Sequence, residues 1–233
     1  MNNNKAKIQS ISLVKKRVKE IYLKLDEFRV QKKSIFLTSS FQTQSLVLLK
    51  IISDHYNSIP IYFLNTGYHF PETIQYKQQL TSLLNLNVID LYSDIPLSYQ
   101  LNANGRLLYT SDTDSCCELN KILPLQKILY KYDVWVTGIR KDQTEIRKTA
   151  DMIENLGSGK IKYNPLLDWT SKYISRFIDY NSLPKHPLDP DGLISVGCQP
   201  CTRLVTRQSR DQNRWFGQTK SECGLHLNFE EEG

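Results

Sequence analysis

Ser34-Ile35-Phe36-Leu37-Thr38-Ser39-Ser40-Phe41-Gln42-Thr43-Gln44-Ser45-Leu46-Val47-Leu48-Leu49-Lys50-Ile51-Ile52 changes character in its middle. Ser34 to Thr38 is a short apolar run that reads as a buried strand. Gln44 to Ile52 reads as a helix, and a Ser/Thr-rich turn joins the two. The unit recurs downstream. Ile59-Pro60-Ile61-Tyr62-Phe63-Leu64 reads as a second strand, followed by a helix from Pro71 to Leu84 with its proline near the first turn. Val88-Ile89-Asp90-Leu91 and Asp133-Val134-Trp135-Val136-Thr137-Gly138 are further strands, with a helix expected over Glu118 to Leu129 between them. Near-continuous apolar strands alternating with helices predict an α/β fold with a mainly parallel sheet and a ligand at the carboxyl ends of its strands.

Those ends point to three ligand loops. Ser39 to Ser45 opens a helix, so its N–H groups and hydroxyls would face an anion. Asn65-Thr66-Gly67-Tyr68 follows the second strand, and Gly138-Ile139-Arg140-Lys141-Asp142-Gln143 follows the Trp135 strand. Taken singly, a Ser/Thr-rich strand-to-helix turn is also what a simple cap looks like. Upstream, Ile8, Ile11, Val14, Val18, Ile21, Leu25 and Phe28 recur at helical spacing, predicting a basic amphipathic helix that packs on the domain. Beyond Tyr163 regularity fades. Asp168-Trp169-Thr170 reads as a helix start, and the proline- and glycine-bearing stretch Ser182 to Gly197 as an ordered loop.

Five cysteines fall in three groups: Cys116-Cys117, the Cys-x-x-Cys at Cys198 and Cys201, and Cys223. Only tertiary structure brings the first two groups together, and four thiolates then make a plausible metal or iron-sulfur shell. Zinc is the second choice, because structural zinc sites more often pair two Cys-x-x-Cys or Cys/His knuckles. Inert buried thiols are the other reading. An odd count and the start Met1-Asn2-Asn3-Asn4-Lys5 argue against a disulfide scaffold.

The chain of 233 residues is 40% hydrophobic, enough for one sizeable core. No run approaches the roughly 18 apolar residues of a membrane span, so a soluble cytoplasmic protein without membrane association is expected. Net charge is +6, from 30 basic and 24 acidic side chains. That is mild for a nucleic-acid binder and compatible with an anionic small substrate, so no nucleic-acid partner is expected. Arg203, Arg207, Arg210 and Arg214 precede Cys223, and a solvated basic tail is the alternative reading of that segment.

Together the motifs resemble the assimilatory adenylyl-sulfate and phosphoadenylyl-sulfate reductases. The resemblance runs in order through Ser39-Ser40-Phe41, Leu64-Asn65-Thr66-Gly67 with Phe70-Pro71-Glu72-Thr73, Cys116-Cys117 with Lys121 and Pro124-Leu125, and Thr137 to Gln143. It continues through Asn164-Pro165-Leu166 with Asp168-Trp169, Gly197 to Arg203, and Glu222-Cys223-Gly224-Leu225-His226.

It implies a PP-loop nucleotide-binding α/β fold that releases sulfite and AMP from adenylyl sulfate, with its 3′-phosphorylated form as the alternative substrate. In such enzymes the residue matching Cys223 attacks sulfur to give a cysteine S-sulfonate, and thioredoxin or glutaredoxin then frees sulfite. Lys121 and His226 join Cys223 as expected catalytic residues, although a solvated His226 is an open alternative. Ser39, Ser40, Phe41, Thr66, Gly67, Arg140, Arg203, Arg210 and Arg214 are the expected substrate contacts. Arg210 differs by one residue from the family spacing to Arg214.

The double-cysteine arm marks the members with a 4Fe-4S cluster, here on Cys116, Cys117, Cys198 and Cys201. Gln42-Thr43-Gln44 stands where many such members have a Gly-Ala-Glu type sequence, and Asn65 stands where aspartate is usual. Both changes remove a carboxylate, which would ease acceptance of an extra phosphate. The expected organisation is an N-terminal helix over 1–33, a nucleotide- and cluster-binding domain over 34–203 and a C-terminal catalytic segment over 204–233, in a homo-oligomer. An ATP-using PP-loop enzyme such as a tRNA thiolase is the rival, but the glycines of its first loop are missing here.

Overall fold

The structure is a computed structural model that describes residues 2–189 and 195–203, with side chains from Ile11 onward. Six strands form one sheet: β1 (Ile35–Thr38), β2 (Ile61–Leu64), β3 (Val88–Leu91), β4 (Val134–Val136), β5 (Ile153–Asn155) and β6 (Ile161–Tyr163). Their order is β3-β2-β1-β4-β6-β5. Every neighbouring pair is parallel except β5 with β6 at one edge.

The apolar strands are explained by cover on both faces. Ile35, Leu37, Ile61, Phe63, Val134 and Val136 point to one side, into a core shared with α1 (Asn2–Val30), α2 (Leu46–His55), α3 (Pro71–Leu83) and α7 (Ser171–Tyr180). Phe36, Tyr62 and Trp135 point to the other, where α6 (Leu123–Leu129) supplies Leu125, Ile128 and Leu129. Helix α1 packs as its spacing predicts, burying Val14, Ile21, Leu25 and Phe28 in the first core. No helix among the described residues is long and apolar enough to cross a membrane.

Two elements depart from the sequence reading. The β5–β6 hairpin was not expected, because its strands are three residues each and carry Glu154 and Lys162. Lys162 is buried and paired with Glu154 at 2.9 Å, so a charge sits where periodicity asks for an apolar residue. The signal was the turn: Gly157, Ser158 and Gly159 all take positive φ, which a Gly-Ser-Gly sequence permits.

The expected helix over Glu118 to Leu129 is instead composite. Short helices α4 (Leu108–Ser111) and α5 (Thr113–Cys117) lead into a π-helical turn, Glu118–Ile122, and then α6. Pro124 accounts for the turn. It lacks the N–H that would bond the Asn120 carbonyl, and its ring crowds that carbonyl, so the backbone widens and Leu123 N–H reaches Glu118 O instead.

Chain order places the candidate site. The chain moves from β1 outward through β2 to β3, then returns to the opposite side of β1 with β4. The reversal between β1 and β4 opens a crevice at their carboxyl ends, where open α/β sheets bind ligands.

Candidate functional site

Ser39 to Thr43 leaves β1 toward that crevice. Phe41 holds φ +53°, unusual for a bulky residue, and Ser39 Oγ accepts its N–H at 3.1 Å. The Phe41 ring is fully buried, edge-on to Phe63, so its backbone alone is left to meet a ligand. Ser39 is nearly buried and Ser40 is exposed, its hydroxyl 3.5 Å from that of Ser45.

Gln42 and Thr43 turn inward. Gln42 Oε1 accepts the Val196 N–H at 3.2 Å. Thr43 Oγ1 accepts the His186 N–H and donates to the Asp189 carbonyl, each at 3.2 Å. The side chains that distinguish this loop therefore anchor the segment leading to Cys198. Gln44, which stands where the family's carboxylate would, is half-buried and donates its Nε2 to Gln42 Oε1 at 3.1 Å.

Asn65 is committed in the same way. Its Nδ2 donates to Asp90 Oδ2 at 3.0 Å and to Tyr92 Oη at 3.2 Å, while Lys77 Nζ, itself buried, pairs with both Asp90 oxygens at 2.5 and 2.7 Å. An aspartate at position 65 would present a second carboxylate to Asp90. Asn65 Oδ1 accepts the Gly67 N–H at 3.2 Å. Gly67 holds φ +73°, which favours glycine, and a Cβ there would lie 2.6 Å from Leu97 Cδ1, so the end of that side chain would have to turn aside.

This loop carries the second cysteine arm. Thr66 Oγ1 lies 3.2 Å from Cys198 Sγ, His69 bridges Cys198 through the backbone, and Gln199 N–H donates to the Tyr68 carbonyl at 2.7 Å. His69 is pushed down to about 4, chiefly by burial, with Lys121 and Lys77 adding to it. It is neutral at physiological pH.

The first arm sits at the end of α5, which Asp112 caps by accepting the Ser115 N–H. Cys116 and Cys117 are buried and reduced, as is Cys198; Cys201 is half-buried. All four thiol residues line one pocket together with Thr66, Tyr68 and Lys121. Lys121 Nζ stands 3.7 Å from Cys117 Sγ. Burial pushes the Cys116 thiol up and the nearby Cys198 and Cys201 thiols add to it, while Asn120 and Lys121 draw it down. The mutual influence of thiols from both arms is what a shared site requires.

Arg140 is brought to the β4 end but is not open. It is 5% exposed, its Nε donates to Asp142 Oδ1 at 2.8 Å and its Nη2 to Ser171 Oγ at 3.2 Å, while Asp142 Oδ2 accepts the Ser171 N–H. In this arrangement Arg140 fastens the start of α7; reaching a substrate would require it to leave Asp142. Arg203 is exposed at the end of the described residues. Arg210, Arg214, Cys223 and His226 lie outside them.

The structure also brings in residues that the sequence reading passed over. Asn120, buried at 2% exposure, lies against Cys116, and Tyr68 and Tyr109 face each other beside the thiols with ring centres 4.9 Å apart. Position i+4 from Cys116 was the available sign for Asn120; Tyr109 carried none.

Comparison with known proteins agrees with this arrangement. Residues 34–204 match the model of the phosphoadenosine phosphosulfate reductase domain. An adenosine 5'-phosphosulfate reductase from Chelativorans sp. (strain BNC1) is 38% identical over 212 residues, covering 89% of this chain and 84% of that protein. One from Bacillus cereus (strain Q1) is 36% identical, covering 85% of this chain and 86% of its own length. Among solved structures, phosphoadenylyl-sulfate reductase from Candida auris superposes with a TM-score of 0.63 at 26% identity, over 75% of this chain and 86% of that one. Candida glabrata FMN adenylyltransferase, at 15% identity and a TM-score of 0.60, over 83% of this chain and 65% of that one, shares the fold alone.

Proposed function

The chain belongs to the phosphoadenosine phosphosulfate reductase domain family, and from that premise we propose that it reduces adenosine 5'-phosphosulfate to sulfite and AMP in sulfate assimilation. The observation that carries the reading is the meeting of four reduced thiols from two distant arms around one pocket, with the Lys121 ammonium against Cys117. Mild positive charge suits a doubly anionic substrate, and the crevice between β1 and β4 suits its adenylyl part.

The chemistry divides into two displacements. Cys223, as thiolate, attacks the substrate sulfur; the S–O bond to the phosphate breaks and AMP leaves, giving a cysteine S-sulfonate. A dithiol redoxin of the thioredoxin or glutaredoxin class then attacks the Cys223 sulfur and releases sulfite. Its second thiol resolves the mixed disulfide, so the redoxin supplies both electrons. Nucleophile and substrate are both negative, so Lys121 and the arginines of the C-terminal segment offset their repulsion and the charge growing on the departing phosphate. We assign the cytoplasm as its compartment, because both the thiols and the redoxin require a reducing medium.

The donor set fits a 4Fe-4S cluster. It consists of thiols with N–H and O–H donors beside them. An adjacent cysteine pair facing a Cys-x-x-Cys departs from the paired knuckles of structural zinc sites, so an iron-sulfur group suits this donor set better than zinc. Cys116, Cys117, Cys198 and Cys201 would hold it, and when bound it would tie the two arms together through iron–sulfur bonds. The positive charge offered to the sulfate is that of Lys121 itself, held against Cys117.

Anaerobic single turnover tests the proposal. The protein is mixed with adenylyl sulfate or, separately, its 3′-phosphorylated form, and sulfonate on Cys223 is read by intact mass. Rapid sulfonation by adenylyl sulfate alone is the expected result. Preference for the phosphorylated form would overturn the substrate, and sulfonation retained in Cys223→Ser would overturn the nucleophile.

A further inference from the structure

Gln100 and Asn120 form a reciprocal amide pair beneath the first cysteine arm. They are 1% and 2% exposed, and come from a loop after β3 and from the π-helical turn after α5. Gln100 Nε2 donates to Asn120 Oδ1 at 3.0 Å and to the Ile95 carbonyl at 2.9 Å. Asn120 Nδ2 donates to Gln100 Oε1 at 2.6 Å and to the Cys116 carbonyl at 2.9 Å, and lies 3.6 Å from Cys116 Sγ. Two hydrogens on Asn120 Nδ2 thus face three acceptors, so one is shared between the carbonyl and the sulfur. A sulfur carrying charge is the better acceptor, and the sharing tips toward it when Cys116 is a thiolate.

The orientation is not interchangeable. Gln100 Oε1 faces Asn120 Nδ2, and Gln100 Nε2 faces two oxygens, so rotating either amide sets oxygen against oxygen. The widened turn forced by Pro124 brings Asn120 under Cys116 and Lys121 under Cys117, each four residues on. One sulfur receives a cation and its neighbour a neutral N–H. Burying two amides costs more than burying two apolar side chains unless every bond is made, so the pair is a device for orientation rather than for adhesion.

We propose that Asn120, locked in direction by Gln100, is a positioning residue that gives the Cys116 thiolate its outer N–H donor and fixes the direction in which that sulfur meets the iron-sulfur group. This rests on the cluster reading above and goes beyond it, by assigning two residues that ligate nothing.

The test uses the full-length protein purified anaerobically, with Asn120→Asp, which keeps the acceptor for Gln100 and loses the donor, and Asn120→Ser, which is smaller and neutral. Iron release to a ferrous chelator should be about tenfold faster in both, the lower end of what outer-shell changes cost. The metal-free forms should also melt lower, because both changes leave the buried Gln100 Oε1 without its donor, so iron release is the deciding readout. Release within twofold of the parent protein in both variants, or a lower melting temperature with unchanged release, overturns the proposal. If Asn120→Asp does not fold, Asn120→Ser alone decides.

If the unaltered protein carries no iron, the cluster reading fails separately. The donor role is then read on the metal-free thiols, by peptide mass after timed alkylation. Losing a hydrogen bond to a charged sulfur should change the ratio of Cys116 to Cys117 labelling about tenfold, and an unchanged ratio overturns it.

Discussion

The two cysteine arms reach the same pocket by different means. The Cys116-Cys117 arm is held largely by its own stretch of chain: Asp112 caps α5, and Asn120 and Lys121 return beneath the two sulfurs. Among the described residues the Cys198–Cys201 arm has a single helical turn, and it hangs on distant loops through Thr66, Tyr68, Gln42 and Thr43. A locally built arm tolerates change elsewhere in the molecule. A docked arm registers any movement of the surfaces it is docked on, and those surfaces are the candidate substrate loops.

Replacing one ligand in each arm gives the largest expected effect and sets the baseline. Cys117→Ser and Cys198→Ser should each abolish the visible iron-sulfur absorbance and sulfite formation together. A full cluster surviving either change removes that cysteine from the shell. Gly67→Val should then separate the arms. Strained backbone and the clash with Leu97 should lower stability by about 2 kcal/mol in urea unfolding, and iron release should quicken through the Cys198 side. Adding Leu97→Ala should return the steric part and leave the strain. Full recovery would show that φ costs nothing there.

The docked arm should also be the more sensitive to acid. His186, fully buried, accepts the Leu188 N–H on Nδ1 at 3.1 Å, so its proton lies on Nε2, facing Thr73 Oγ1 at 3.0 Å. Burial depresses its affinity for a proton below the ordinary 6.5, with Glu72 opposing weakly. The folded chain therefore binds fewer protons than the unfolded one, and the stability it contributes is full above pH 6.5 and declines as pH falls below it. His186→Gln should flatten that part of a melting-temperature profile between about pH 7 and 5; an unchanged slope would assign it to other groups. The smallest effect is expected from Gln42→Leu, which removes one neutral acceptor from Val196 N–H and should cost about 1 kcal/mol. It should speed iron release while leaving Cys116 labelling unaltered. Equal disturbance of both arms would erase the distinction between them.

Much of the architecture was legible because burial on both faces leaves strands such as Ile61-Tyr62-Phe63-Leu64 nearly free of polar residues. The hairpin was not, since Lys162 and Glu154 neutralise each other inside the fold and periodicity registers only their polarity. At the site, cysteine spacing sufficed to group four thiols, and the family motifs named Lys121 and Thr66. Motif membership did not reveal which way a side chain turns. Arg140, Phe41 and Gln42 stand in the expected loops but are buried, because each has found a partner within the protein: Asp142, Phe63 and Val196 N–H. Gln100 was invisible for another reason. Its contact with Asn120 spans two segments without regular period, so nothing local marks it.

The separation of the arms along the chain has a consequence during synthesis. Cys117 and Cys198 are 81 residues apart, so at the usual ribosomal pace of 5–20 residues per second the first thiol pair waits roughly 4 to 16 s for the second. Through that interval the nascent chain carries the Cys116-Cys117 pair, with Asn120 and Lys121 four residues on, and lacks its second thiol pair. The arm that needs the finished loops to dock upon is the one made after them.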